Sequence, residues 1–214
     1  MTLKIAIASD FICPWCLVAE KRLSQAIEQL NSDLEIERIW YPYELNPTMP
    51  KAGMERKVYR TAKFGSWEYS QQLDAQTIQA TKNDGINFRY DLMEITPNTL
   101  KAHRLTWLAQ SQGKGTEMAA RILEAYFTEG KDIMDVDTLA KLAADVGMDE
   151  SATKIFLQTD AGIEEIRELE QQVANKGIRG GPSITIGRET ISGGQPVEVF
   201  LAALKNALIP TVRS

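Results

Sequence analysis

The chain has 214 residues, 43% hydrophobic and 25% charged, the balance of an ordinary globular protein long enough to bury a sizeable core. Its formal charge of -5 gives no reason to expect nucleic acid or an anionic membrane surface as a partner, and no apolar run approaches the length of a membrane span. Two cysteines and one histidine are too few for a zinc site of about four ligands, so no metal is expected.

Taken in order, Lys4-Ile5-Ala6-Ile7-Ala8 reads as a short strand buried on both faces. Ser9-Asp10-Phe11-Ile12 carries the chain off it into Cys13-Pro14-Trp15-Cys16, which holds both cysteines of the chain. From Pro14 the apolar period changes to about 3.6, with Leu17, Val18, Leu23, Ala26, Ile27 and Leu30 on one stripe, predicting a helix over 14–30. Pro14 suits the first helical position, where its missing N–H costs nothing. Cys13 therefore stands at a helix start, where free amides and the helix dipole favour the thiolate. Cys16, one turn deeper, is placed to close a small disulfide with it. The expected chemistry is attack by Cys13 on an external disulfide and resolution by Cys16, the dithiol being the redox centre with no organic cofactor. The indole of Trp15 offers an apolar, exposed contact beside the thiols and no cation, and Asp10 opposes the thiolate. These two features predict a moderately lowered Cys13 pKa, in the upper half of the range from about 3.5 to about 7.

Leu34 to Trp40 alternates apolar and charged residues as a second, half-buried strand, completing a βαβ unit with parallel strands. Three prolines between Tyr41 and Pro50 mark a connector. Glu55 to Lys176 then shows almost no strand signal. Helices are predicted over 67–83 capped by Ser66, 97–112 capped by Thr96, 116–128, 136–146, 149–157, and from Asp160 as cap to Gly177. Ser183–Ile186 and Glu189–Ser192 form a hairpin around Gly187-Arg188, and a last helix spans 197–208. The chain thus divides into a discontinuous α/β unit, 1–50 with 177–214, and an all-helical insertion, 51–176. No secretory signal precedes the first strand, so a cytoplasmic protein is expected, and there a lone Cys-x-x-Cys is catalytic rather than structural.

A βαβ unit with Cys13-Pro14-Trp15-Cys16 opening its helix, and Gly177-Ile178-Arg179-Gly180-Gly181-Pro182 opening a hairpin, resembles the thioredoxin fold. The helical insertion resembles the DsbA-like branch. Glu44-Leu45-Asn46-Pro47, Pro97-Asn98-Thr99, Ala102-His103-Arg104-Leu105 and Ala125-Tyr126-Phe127 resemble its FrnE-like group. The resemblance implies an α/β, thioredoxin-like fold with a large all-helical insertion. It implies that Pro182 is a cis-proline facing the disulfide and that Gly181 pairs with substrate backbone. Where such proteins commonly have a larger residue before the proline and an aromatic after it, this chain has Gly181 and Ser183, a roomier and more polar floor.

His103 shares a helix face with Thr99, Thr106 and Trp107. It reads either as a satisfied core histidine or, on the Asn-Thr-x-x-x-His pattern, as a residue lining the Cys13 cleft. The substrate-contact set is then Pro14, Trp15, Gly181, Pro182 and His103, around the catalytic Cys13 and Cys16. The partners expected are a thiol- or disulfide-bearing substrate, protein or small molecule, with glutathione as an alternative electron donor. Two rival functions stand beside this one. The first is a glutathione-dependent isomerase or transferase of the chromene-carboxylate isomerase or kappa-class type, which usually has serine at the position of Cys13. The second is a binding or chaperone module with vestigial thiols.

Overall fold

The computed structural model describes residues 2–209; Met1 and residues 210–214, the end of the predicted α/β unit, lie outside that range. The chain runs through β1 (Thr2–Ser9), α1 (Pro14–Leu30) and β2 (Glu35–Pro42). A short ribbon of β3 (Met54–Glu55) and β4 (Ile95–Thr96) then brackets α2 (Arg56–Phe64) and α3 (Trp67–Ala80). Five more helices follow: α4 (Leu100–Ser111), α5 (Gly115–Glu129), α6 (Val136–Asp145), α7 (Glu150–Gln158) and α8 (Ile163–Asn175). β5 (Ser183–Ile186), β6 (Glu189–Ser192) and α9 (Val197–Leu208) close the chain.

The β-branched run of β1 is central to a four-stranded sheet of order β2-β1-β5-β6. It pairs in parallel with β2 (Ile7 opposite Trp40) and antiparallel with β5 (Ile7 opposite Ile184). β1 buries one face, with Ile5 and Ile7 almost completely inside, while Thr2 and Lys4 on the other face are exposed and Ala6 is half-buried. The strand expected to be buried on both faces is thus covered on only one over its first half. α1 and α9 pack together beside the sheet, while α4, α5 and α8 pack against β2. One apolar cluster joins the sheet, α1 and α9 to α4, α5 and α6, from Ile5, Leu17 and Phe200 to Leu105, Ile122 and Leu139. No helix among the described residues is long and apolar enough to cross a membrane.

Two predicted helix starts are corrected. Thr96 is not a cap: Pro97 biases the residue before it to extended backbone, and Thr96 pairs with Met54 in the β3–β4 ribbon. The helix begins three residues later, with Thr99 at its N-cap position. Asp160 likewise lends only its carbonyl to Ile163 N–H, and α8 starts after Gly162, whose φ of +83° favours glycine. The expected cap at Ser66 does accept an amide hydrogen, from Tyr69, and Asp135 caps α6 by accepting from Thr138 N–H. α2, for which the sequence showed no separate signal, folds as a helix of nine residues.

Candidate active site

β1 ends at Ser9 and its chain turns through Asp10, Phe11 and Ile12 to Cys13, the N-cap position of α1, with φ −97° and ψ 114°. Pro14 occupies the first helical position. Cys16 N–H donates to the Cys13 carbonyl at 3.0 Å, so the first turn of α1 holds both cysteines, which are free thiols. Their surroundings differ. Cys13 keeps 9% of its surface at the edge of a cleft, while Cys16 keeps 2%. Cys13 Sγ lies 3.7 Å from the Gly181 carbonyl, and Cys16 Sγ accepts from Asp10 N–H at 3.5 Å. The Gly181–Pro182 peptide bond is cis. Gly181 approaches the end of β1 closely: a Cβ there would stand 3.5 Å from the Ala8 carbonyl.

The thiols are driven apart in acidity. The Cys13 pKa falls below its ordinary 9.0, chiefly because the Cys16 thiol donates to it, with the amides of Cys16 and Trp15 adding to the effect; burial and the Asp10 charge oppose it. Burial pushes Cys16 well above that value, and the neighbouring Cys13 thiolate adds to the rise. A more acidic thiol at the cleft edge and a less acidic one behind it suit a nucleophile and a resolving group.

Asp10 is fully buried, and its carboxylate accepts from two backbone amides beside the ring of His103. Oδ1 accepts from Phe11 N–H at 2.8 Å and Oδ2 from Leu45 N–H at 2.7 Å. His103 Nε2 stands 3.1 Å from Oδ1, and its ring packs on Phe11 with centroids 4.9 Å apart. His103 is thus buried behind Asp10. It borders a small hollow with Trp40 and Trp107, whereas the Cys13 cleft is lined by other residues. Cys13, Pro14, Trp15 and Gly181 share that cleft, and Pro182 borders a second hollow, of about 740 Å³, on which Gly181 also opens. Trp15 is half-buried rather than exposed, its indole lying where a Cβ on Gly194 would meet Cε3 at 2.8 Å.

The cleft is a cavity of about 600 Å³ between the first turn of α1 and the α2–α3 pair. Its far wall holds Arg56, Arg60, Asp74, Tyr90 and Tyr126, none of which the sequence singled out as site residues. The signal available was the four-residue spacing of Arg56–Arg60 and Ser70–Asp74, which puts each pair on one helix face.

Fold and dithiol together define a thioredoxin-like domain of the DsbA type. The chain matches the DSBA-like thioredoxin domain family over residues 4–205 and belongs to it. It is 30% identical over 207 residues to the uncharacterized protein YwbO of Bacillus subtilis strain 168, covering 96% of this chain and 98% of that one. It is similar to the crystal structure of the probable DsbA oxidoreductase SCO1869 from Streptomyces coelicolor, with a TM-score of 0.89 at 26% identity over 99% of this chain and 93% of that chain. The cytosolic disulfide reductase DsbM from Pseudomonas aeruginosa shares the fold, with a TM-score of 0.68 at 20% identity over 96% and 98% of the two chains.

Proposed function

We propose that this protein is a thiol–disulfide oxidoreductase in which Cys13 attacks and Cys16 resolves. The observation that carries the reading is the placing of two free thiols in the first turn of α1, Cys13 at a cleft edge and Cys16 buried behind it, with the direction of their acidities in keeping with it. Cys13 thiolate attacks one sulfur of the substrate disulfide, and the other sulfur leaves as a thiolate with the bonding pair. Cys16 then loses its proton and attacks Cys13 Sγ, expelling the second thiol; the Asp10 amide, 3.5 Å from Cys16 Sγ, stabilises the charge that develops there. The protein is left with a Cys13–Cys16 disulfide, and the substrate has gained two electrons.

In this reading Pro14, Trp15, Gly181 and Pro182 form the floor on which the mixed disulfide rests. His103 is a positioning residue, steadying Asp10 beneath the pair. The unit 1–50 with 177–214 supplies the dithiol, and the insertion 51–176 supplies the opposite wall. Glutathione as electron donor and a cytoplasmic setting are supported by DsbM, a cytosolic disulfide reductase of the same fold whose structure was also solved with glutathione.

The test is the reduction potential of the Cys13–Cys16 pair in glutathione buffers, with Cys13→Ser as control. A value near about −270 mV indicates a reductase and one near about −120 mV an oxidant. A protein that forms no reversible disulfide overturns the reading.

A further inference from the structure

The wall facing Cys13 holds more positive charge than its own carboxylate balances. α2 presents Arg56 and Arg60 one turn apart, and both converge on Asp74 of α3: Arg56 Nη2 donates to Oδ2 at 2.7 Å and Arg60 Nη2 to Oδ1 at 2.7 Å. Arg60 Nε also donates to Ser70 Oγ at 2.6 Å. Lys63, three residues on, donates to the Tyr59 hydroxyl at 3.0 Å and lies over the Tyr59 and Phe64 rings. Among the described residues of the wall, two arginines share one carboxylate, and Lys63 adds a third, exposed cation at the rim. Arg56 is only 4% exposed, so bulk water does little to balance it. Beside it, with the guanidinium 5.2 Å from its ring centre, the Tyr90 hydroxyl is buried with only Thr77 near it and no well-aligned hydrogen bond.

Buried donors and charge of this kind cost free energy unless something accepts them. Most of the remaining wall is apolar, with Ile12, Leu73, Met93 and Phe127 around the same space. At about 600 Å³ the cavity has the size of a site for a small organic molecule. A carboxylate matches the planar donor forks of paired arginines and a phenol O–H, and a ring or short apolar chain matches the rest. Resting on the dithiol reading above, we propose that the substrate is a small organic disulfide bearing a carboxylate on an apolar body, its carboxylate held by Arg56, Arg60 and Tyr90 and its sulfurs at Cys13. Attack by Cys13 breaks the S–S bond and releases one carboxylated thiolate. Attack by Cys16 releases the second, and the two electrons come from the protein dithiol.

Two aromatic disulfides separate the proposal from general thiol reactivity: anionic dithiobis(nitrobenzoate) and neutral dithiodipyridine. The rate of oxidation of the reduced protein by each is followed by stopped flow, and the ratio of anionic to neutral rate is the readout. Arg60→Gln and Tyr90→Phe should each lower that ratio about tenfold, the scale of one hydrogen bond to a charged group. Tyr90→Phe removes one hydroxyl that makes no well-aligned hydrogen bond and keeps the ring, so it disturbs the fold less than Arg60→Gln, which loosens the arginine cluster. A ratio unchanged within about twofold in both variants overturns the proposal. Titration calorimetry of dithiobis(nitrobenzoate) into the Cys13→Ser/Cys16→Ser protein tests the site without redox chemistry. Saturable binding, weakened about tenfold by adding Tyr90→Phe, supports the site even if neither disulfide oxidises the dithiol, a result that would sink the oxidoreductase reading alone. Absence of binding there, with normal dithiol oxidation, sinks the site and leaves that reading standing.

Discussion

Asp10 looked, in the sequence, like a negative charge set against the Cys13 thiolate; in the folded protein that repulsion is smaller than the effect of the hydrogen bonds from Cys16 and Trp15. The largest influence is the hydrogen bond from Cys16, which makes the two thiols one acid–base unit. Cys16→Ala should therefore raise the pH midpoint of Cys13 alkylation, while Cys16→Ser, which keeps a donor, should raise it less. Equal midpoints in wild type and Cys16→Ala would contradict this. The same pair sets a pH dependence for the reduced form. Because Cys13 is lowered, its contribution is present above the ordinary thiol value of 9.0 and is lost as pH falls through its folded pKa. Because Cys16 is raised, its contribution is present below 9.0 and is lost as pH rises from there. The stability difference between the reduced protein and Cys13→Ser/Cys16→Ser should accordingly peak near 9.0, and urea midpoints across pH measure it. Asp10 itself is a structural hub: Asp10→Ala orphans the buried amides of Phe11 and Leu45 and should cost about 3 kcal/mol in the same assay.

At the scale of elements, Arg104 reinforces the C-terminal end of α7, where Thr159 already donates its N–H and hydroxyl to the Phe156 carbonyl. From α4 its guanidinium donates to the carbonyls of Thr159 and Ala161 at 2.7 Å each and to Phe156 at 3.1 Å, gathering the chain as it leaves the helix. Burial lowers its pKa, yet a guanidinium stays charged, and it also lies over the Phe156 ring. Arg104→Ala should destabilise the protein by about 3 kcal/mol, and Arg104→Lys should recover little, since one ammonium cannot span those carbonyls. Recovery to near wild type by lysine would show that charge, not the fork, is what α7 needs. The N-terminal end of the same helix is held by Asp149, which accepts from Ala152 N–H at 2.7 Å. Asp149→Ala should cost about 1 kcal/mol, measurable by the same denaturation.

For the whole molecule, the question is whether 51–176 behaves as a separate unit. α1 is tied to α5 by Lys21 and Glu124, and to the end of α3 by Arg22, which donates to the Ala80 carbonyl at 3.2 Å, makes two bonds to Asp84 in the turn beyond at 3.0 and 2.8 Å, and one to the Gly194 carbonyl at 2.6 Å. With the apolar cluster continuous from sheet to helices, urea unfolding should be a single transition. Far-ultraviolet circular dichroism and the fluorescence of Trp15, Trp40, Trp67 and Trp107 should report the same midpoint. Two separated transitions would show an insertion that folds on its own. Arg22→Ala should lower the midpoint by removing a partly buried, bidentate ion pair, and by freeing Gly194 it should also loosen the seat of Trp15.

The period-two and period-3.6 patterns, Pro14 at a helix start and the Gly187 turn were local signals, and local signals are enough to define strand–helix–strand, the terminal hairpin and the placing of Cys13 and Cys16 in one turn. The chain's own residues thus determined its fold class and the position of its dithiol. Thr96 and Asp160 misled because a proline and a left-handed glycine nearby decided the backbone, and the sheet ribbon and Arg104 then fixed what remained. What only the tertiary structure decided is the surroundings of the thiols. Asp10 meets Leu45 and His103, and Arg56 meets Asp74 and Tyr90, through contacts between residues far apart in the chain. Pairings of that kind leave no periodic trace in sequence, because burial and hydrogen bonding are settled by which helix packs over which strand.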